Sequence, residues 1–425
     1  MQYAPGVFVH SGQDKETMDR TSEHTDRLGI TWQVGVASGW GVYGLQIVQV
    51  LLRTGGPRPV LFDGSSALPR HPLMDDRLDE ARRLQAAAVS TVAERGNNPV
   101  RPPFPVLHAL GNQLSGGRTG EAVHGTPDIG LVFLEDTRLT ADAMARARRY
   151  RTIVAGSGWN GEVLRAAGLA NVAVCPQGVD PSVFHPAPRT GALRDRFVVF
   201  SGGKLEHRKG QDLVIEAFRR FHARHPEAVL VTAWHNHWPE TARSIARSRW
   251  VKTPPESDGA GKLRVADWLL AHGLREDSFR VLPMVPQAVA AAIMREADAA
   301  LFPNRCEGGT NLVAMEALAC GVPTILSANT GHLDLVRDVP CYPLTRQDPV
   351  AAEEAGMGTD GWGESSVDEM LAHLEAIHAD RQAARARGLS AAVRMHEAWS
   401  WEQRVGDLLA VVDRGAPTQP TGARD

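Results

Sequence analysis

The stretch FPNRCEGGTNLVAMEALACGVPTILS, residues 302–327, reads as the end of a buried strand, a glycine-containing loop, a helix and a second strand. Thr310 is a helix-capping residue type, Gly321 suits a helix C-terminus, and Pro323 stops the helix from continuing. Strand–loop–helix–strand order of this kind belongs to a parallel sheet covered by helices. Glu316 falls in the second helical turn among Val313, Met315, Ala317 and Leu318, so it reads as a buried carboxylate wanting hydroxyl partners. Glu307 sits in the loop beside the backbone N–H groups of Gly308 and Gly309.

The same alternation runs outward in both directions. Upstream, TWQVGVAS (31–38), RPVLFDG (58–64), PVLHALG (105–111), DIGLVFLE (128–135), RTIVAGS (151–157) and NVAVCPQG (171–178) read as buried strands. Helical stretches such as RLDEARRLQAAAVSTVAERG separate several of them. HPAPRTGALRD (185–195) breaks the pattern with Pro, Gly and small polar residues and reads as a linker. A second series then begins with RFVVFSGG (196–203), AVLVTAWH (228–235), SFRVLPM (278–284), ADAALFP (297–303) and VPTILSA (322–328). The fold class is therefore α/β, with two doubly wound units whose strand ends flank one cleft. PPESDGAGK (254–262) and EEAGMGTDGWGESS (353–366) read as mobile surface loops.

Composition bounds the function classes. The 425 residues carry 46 basic and 49 acidic side chains, so no global positive field draws nucleic acid. The longest apolar run, Ala288 to Met294, is far too short to span a bilayer, and no basic-then-apolar leader opens the chain. Cys175, Cys306, Cys320 and Cys341 show no metal-finger spacing and suit buried thiols in a reducing cytosol, which makes the expected localisation cytoplasmic.

Two loops carry anion chemistry. Gly39, Gly41 and Gly44 form a GxGxxG between a strand and a helix, with Asp63 about 20 residues on, as in dinucleotide-binding units. Trp40 lies within that loop. An NAD-dependent oxidoreductase would use it for a cofactor; a transferase would turn it toward a donor phosphate or a substrate. SGGKLEHRKGQDLVIEAF (201–218) sets Lys204 and Lys209 on a strand-to-helix loop, where two cations suit a departing diphosphate.

GGKLEHRKGQDLVIEAF resembles the donor-phosphate loop of retaining GT-B glycosyltransferases, the group containing bacterial mannosyl- and glucosyltransferases and sucrose synthase. EGGTNLVAMEALACGVP resembles their paired-glutamate motif. GSGWNGEVLRAAGLANVAVCPQGVDPSVFHP (156–186) is similar to the family's crossing segment, and HEAWSWEQRVGDLLAVV (396–412) to its returning C-terminal helix. The resemblance implies an acceptor-binding domain over 1–187, a donor-binding domain over 188–394, a helix over 395–413 packing back on the first domain, and a flexible tail over 414–425.

It also implies site roles. Lys204 stands where the family usually has arginine, and Lys209 matches the family lysine; both would hold the donor diphosphate. Glu316 matches the second glutamate and would accept hydrogen bonds from the nucleotide ribose. Glu307 matches the first, facing the transferred sugar, although eight residues separate the pair here where the family has seven. Gly203 and the amides of Gly308, Gly309, Thr310 and Asn311 would contact phosphate and sugar, and Met284 and Val285 would frame the base. The implied reaction moves a sugar from a nucleotide diphosphosugar, UDP- or GDP-linked, to an acceptor hydroxyl with retention. It needs neither metal nor cofactor, and a same-face route and a covalent intermediate both remain open. A sugar-nucleotide epimerase, a phosphorylase or a silent sugar-nucleotide-binding protein would share the fold.

Three further signals complete the reading. His108 ends a predicted strand where relatives often keep a cleft histidine near the transferred sugar. WHNHW (234–238) lacks regularly spaced carboxylates and reads as a cleft-lining loop, not a metal site. Arg146, Arg148, Arg149 and Arg151 form either a solvated helical face or a contact for anionic lipid-linked acceptors.

Overall fold

The computed structural model describes residues 26–36, 38–70, 72–352 and 356–415. The first sheet holds β1 (Arg27–Ile30), β2 (Arg58–Leu61), β3 (Val106–Leu110), β4 (Asp128–Val132), β5 (Thr152–Ala155) and β6 (Val172–Val174). Its order is β2-β1-β3-β4-β5-β6, parallel throughout. The second holds β7 (Phe197–Gly203), β8 (Ala228–Trp234), β9 (Phe279–Val281), β10 (Ala299–Phe302), β11 (Thr324–Ser327) and β12 (Tyr342–Leu344). Its order is β12-β11-β10-β7-β8-β9, again all parallel.

Parallel strands joined by helical crossovers are covered on both faces, which is why these strands are apolar without alternation. In β7, Phe197 and Val199 enter one core with Leu213, Phe218 and Phe221. Val198 and Phe200 enter the other with Met315, Leu318 and Val322. Each such side chain contributes about 1.5–3 kcal/mol of transfer free energy when fully buried. Strand order reverses between β1 and β3 in the first sheet and between β7 and β10 in the second. Ligands of doubly wound sheets bind beyond the strand carboxyl ends at such points.

The chain crosses between domains twice, and the crossings touch. Val179 N–H donates to the Trp399 carbonyl at 2.8 Å, and Trp401 N–H donates back to the Val179 carbonyl at 3.0 Å. Ser400 and Gln403 then form a capping box that starts the helix Trp401–Arg414. Its Trp401, Val405, Leu408 and Val412 enter the core of the first domain beside the helix Gly39–Thr54. Trp401 stacks on Tyr43 with ring centroids 5.5 Å apart.

Two sequence expectations need correction. TWQVGVAS is not the first strand: β1 ends at Ile30, and the Phe62 N–H to Ile30 carbonyl bond closes its pairing with the β2 side. Trp32 and Val34 are buried, but they pack against the helix Gly39–Thr54 at Gly44 instead of joining a ladder. The 353–366 segment is not a free surface loop either, although Glu353, Glu354 and Ala355 lie outside the described residues. Trp362 is buried and donates its indole N–H to the Glu135 carbonyl of the first domain at 3.0 Å. Gly363–Ser365 pairs antiparallel with Gln347–Pro349. The tail beyond Gly415 lies outside the described residues.

Candidate functional site

The loop after β7 is fixed before it does any chemistry. The Asn236 amide accepts from Leu205 N–H at 2.7 Å and donates to the Leu205 carbonyl at 3.0 Å. The Gln211 amide holds the Lys204 carbonyl. Lys204 itself stays reachable: its side chain is 40% exposed, with its ammonium over the Trp238 ring and 3.8 Å from Glu206. The asparagine of WHNHW thus clamps the cation loop, and His235 and His237 flank it.

The loop after β10 meets this one through charge. Lys209 and Asn304 both bond to Glu307 Oε1, and Arg208 reaches Glu307 Oε2 at 3.5 Å. Burial alone would raise the Glu307 carboxyl; Lys209, then Arg208, overcome it and bring it down to about 2. Arg208 also pairs with Glu206 at 2.8 Å and, across the cleft, with Glu135 at 3.2 Å. Below them Arg305, fully buried, forks onto Asp212 at 2.9 and 2.6 Å and reaches Glu364 at 2.7 Å. A buried bidentate pair of this kind fixes geometry more than it adds stability.

Asn311, with φ of 64°, caps the helix Leu312–Ala319, and its amide meets His332 Nε2 at 3.1 Å. Thr310, expected as the cap, is buried with its hydroxyl 3.0 Å from the Met315 sulfur. Glu316 stands on this helix half-buried, and among the described residues its carboxylate has no hydrogen-bond or ion-pair partner. Burial pushes its pKa up to about 8. An unpartnered, half-buried carboxyl on this helix is suited to accept from ligand hydroxyls.

The first domain closes on this site through packing. A Cβ at Gly308 would stand 2.5 Å from the Phe133 backbone, so only glycine admits this approach. Ser157 donates its hydroxyl to the Gly308 carbonyl at 2.8 Å. Phe133 lies under Gly309 and against Trp40, with the Trp40 and Phe133 ring centroids 4.6 Å apart. Trp40 therefore belongs to an aromatic cluster with Trp32 and Tyr43. Gly41 and Gly44 are also explained by packing: Cβ atoms there would meet the Gly35 carbonyl at 2.8 Å and the Val34 side chain at 2.8 Å. Gly39, the first residue of the helix, has open space around it. Asp63 is spent on its own turn, accepting from Ser65 N–H at 2.9 Å.

His108 is not a cleft residue. It lies inside β3, fully buried, bonded through Nε2 to Asp128 Oδ1 at 2.7 Å, and Asp128 opens β4 at the sheet end away from the cleft. Burial lowers its pKa against the pull of Asp128. Arg149 completes that pair at 2.9 Å, while Arg146 bonds the Gln113 carbonyl and Arg151 the Val412 carbonyl. Three of the four arginines thus support the first domain. Met284, exposed, and Val285 follow β9 at its carboxyl end, and Gly203, with φ of 123°, ends β7. Arg208, Glu206 and Glu135 escaped the sequence reading. Arg208 adjoins Lys209 in EHRKG, so a run of adjacent cations was the available signal; Glu135 showed only as the last residue of a strand-like run.

Two facing parallel sheets with a charged and a glycine-lined lip at their switch points define the GT-B class of fold. Residues 188–339 match the family Glycosyl transferases group 1, and residues 281–408 match Family 4 Glycosyltransferase in conflict systems. The chain is 30% identical over 251 residues to a D-inositol 3-phosphate glycosyltransferase of Geodermatophilus obscurus, 57% of this chain and 47% of that one. It thus spans about half the length of that relative. It is 27% identical over 331 residues to a GDP-mannose-dependent alpha-(1-6)-phosphatidylinositol monomannoside mannosyltransferase of Mycolicibacterium smegmatis, 73% of this chain and 74% of that one. Sucrose-phosphate synthase of Thermosynechococcus elongatus superposes with a TM-score of 0.61 at 16% identity, covering 91% of this chain and 98% of the other. Anabaena HepE in complex with UDP-glucose superposes at 0.58 and 14%, covering 90% and 99%. Among the described residues no helix is long and apolar enough to cross a membrane.

Proposed function

We propose that this chain is a retaining glycosyltransferase that moves a sugar from a nucleotide diphosphosugar to an acceptor hydroxyl. The observation that carries the reading is the pairing of an accessible cation, Lys204, with an unpartnered carboxyl, Glu316, on either side of the β7/β10 switch point. The family match over 188–339 and the GDP-mannose and UDP-glucose named for relatives support the same donor class.

In this reading Lys204 and Lys209 meet the charge that grows on the leaving diphosphate, so the transfer needs no divalent cation. The amides of Gly308, Gly309 and Asn311 complete that cradle, and Glu316 accepts from the ribose hydroxyls. Met284 and Val285 border the base. Glu307 acts by holding Lys209 and Arg208 in place, since its oxygens already serve those cations and Asn304. The acceptor enters against the first domain near Gly39.

A thermal-shift panel with UDP, GDP, ADP, TDP and NAD tests the reading. A ligand at a hundred times its Kd stabilises by about 2.7 kcal/mol, a shift of a few degrees. One nucleoside diphosphate should stabilise the protein while NAD does not; stabilisation by NAD alone sinks the transferase. The anomeric configuration of the product, read by NMR, then tests retention.

A further inference from the structure

A second cluster of ligand-type side chains lies far from the cleft, where the transfer reaction has no use for it. His225 and Glu227 occupy the turn leading into β8, and His378 projects from the helix Val367–Ala379. The turn sits at the amino end of β8 and the cleft at its carboxyl end, so seven residues at about 3.3 Å each separate them by roughly 20 Å. We propose that His225, Glu227 and His378 form a binding site for a divalent transition-metal ion, zinc by its donor set, that staples this helix to the sheet.

One potential ligand atom from each residue lies within 4.8 Å of the others. Glu227 Oε1 is 2.8 Å from His378 Nε2 and 4.0 Å from His225 Nδ1. Donor atoms around tetrahedral zinc, bonded at about 2.0–2.1 Å, stand about 3.3 Å apart. Glu227, whose side chain is 40% exposed, can rotate to even out its two distances, and small shifts of the imidazoles close the remaining gap. To offer its Nε2 lone pair to the ion, His378 moves its proton from Nε2 to Nδ1 through solvent and remains neutral, and water takes the fourth position.

The surroundings match what a metal-bound histidine needs. The other nitrogen of His225, Nε2, lies 2.7 Å from Glu375 Oε2, so a carboxylate would orient the imidazole from behind. The two imidazole rings lie only 4.0 Å apart by centroid, converging on the same carboxylate oxygen. Phe221 packs on His225 at 4.5 Å, and Phe197 on His378 at 5.1 Å, forming an apolar floor that limits ring rotation. Two imidazoles with one carboxylate favour zinc over magnesium or calcium, which prefer all-oxygen shells.

The test uses the full chain without an affinity tag, freed of metal with a chelator, and titrated with zinc and with cobalt(II). The expected result is one tight zinc site per chain, with cobalt absorption bands of a four- or five-coordinate ion. His378→Gln should remove both, and Glu375→Gln should keep one site but weaken it about tenfold. A six-coordinate aqua-type cobalt spectrum in the unaltered protein overturns the proposal. So does unchanged zinc affinity in a His225→Asn, His378→Gln double variant. Melting in chelator separates loss of the site from loss of the fold, and the cobalt spectrum of the unaltered protein decides without any variant.

Discussion

The loops after β7 and β10 gather Lys204, Arg208 and Lys209 with Glu206 and Glu307, whereas the loop after β1 presents Gly39 backed by the rings of Trp40, Tyr43 and Phe133. One lip of the cleft is built from charge and the other from aromatic packing. Charged groups are kept in place by their own counter-charges: with Glu135 included, three cations face three carboxylates. In the proposed reading a diphosphate competes with these carboxylates for their cations, and Glu135 is the one that comes from the opposite domain. The aromatic lip carries no such charge, and its rings pack the first domain.

The largest effect is expected at the charged lip. Lys209→Ala should weaken nucleoside-diphosphate affinity at least tenfold, about 1.4 kcal/mol by calorimetry. It also leaves Glu307 buried without its lysine, so chemical denaturation should show a loss of about 3 kcal/mol. Unchanged affinity would remove Lys209 from the donor site. At the aromatic lip, Trp40→Ala should lower stability by about 2 kcal/mol, below the range for fully buried tryptophan, because this ring is half-buried. Its nucleotide affinity should stay within twofold; a donor defect as large as that of Lys209→Ala would erase the contrast between the lips.

Glu316 gives a pH signature on the charged side. With its pKa at about 8, the carboxyl is protonated at neutral pH in the free protein. Ribose hydroxyls stabilise the ionised form, so binding releases a proton and affinity should rise from pH 6.5 to 8 and then level. Isothermal titration with an intact nucleotide diphosphosugar should show this slope, and Glu316→Gln should flatten it. Stability runs the other way. A carboxyl pKa raised above its unfolded value means the folded state binds more protons, so this contribution weakens as pH climbs from about 4.5 to 8. The smallest donor effect belongs to His108→Gln, with nucleotide affinity within twofold of the parent and a lower melting temperature from the disturbed Asp128 pair. A large donor defect there would return His108 to the cleft.

The sheets were legible because parallel strands must be apolar on both faces, and runs such as RFVVFSGG and ADAALFP carry that mark directly. TWQVGVAS misled because buried loop residues packing on a helix use the same residue types as a strand. Lys204 and Lys209 could be singled out through the glycines beside them, and Glu316 through its apolar flanks Val313, Met315, Ala317 and Leu318. The companions Arg208 and Glu135 could not, because their partnership joins loops that only the folded arrangement of two domains brings together. His108 shows the converse: Asp128, 20 residues away and on the neighbouring strand, decides its role, and no local pattern announces that pairing.

The hydrogen-bonded meeting of the two crossings at Val179 and Trp399–Trp401 gives the molecule a single pivot. Linkers lying far apart would have to stretch unequally whenever the domains swung open. Side by side, they twist together, so the lips can part to admit a donor while the backbone joining them keeps its length. Any opening about that crossing has to part the contacts that join the domains elsewhere, Arg208 with Glu135 and Trp362 with the Glu135 carbonyl.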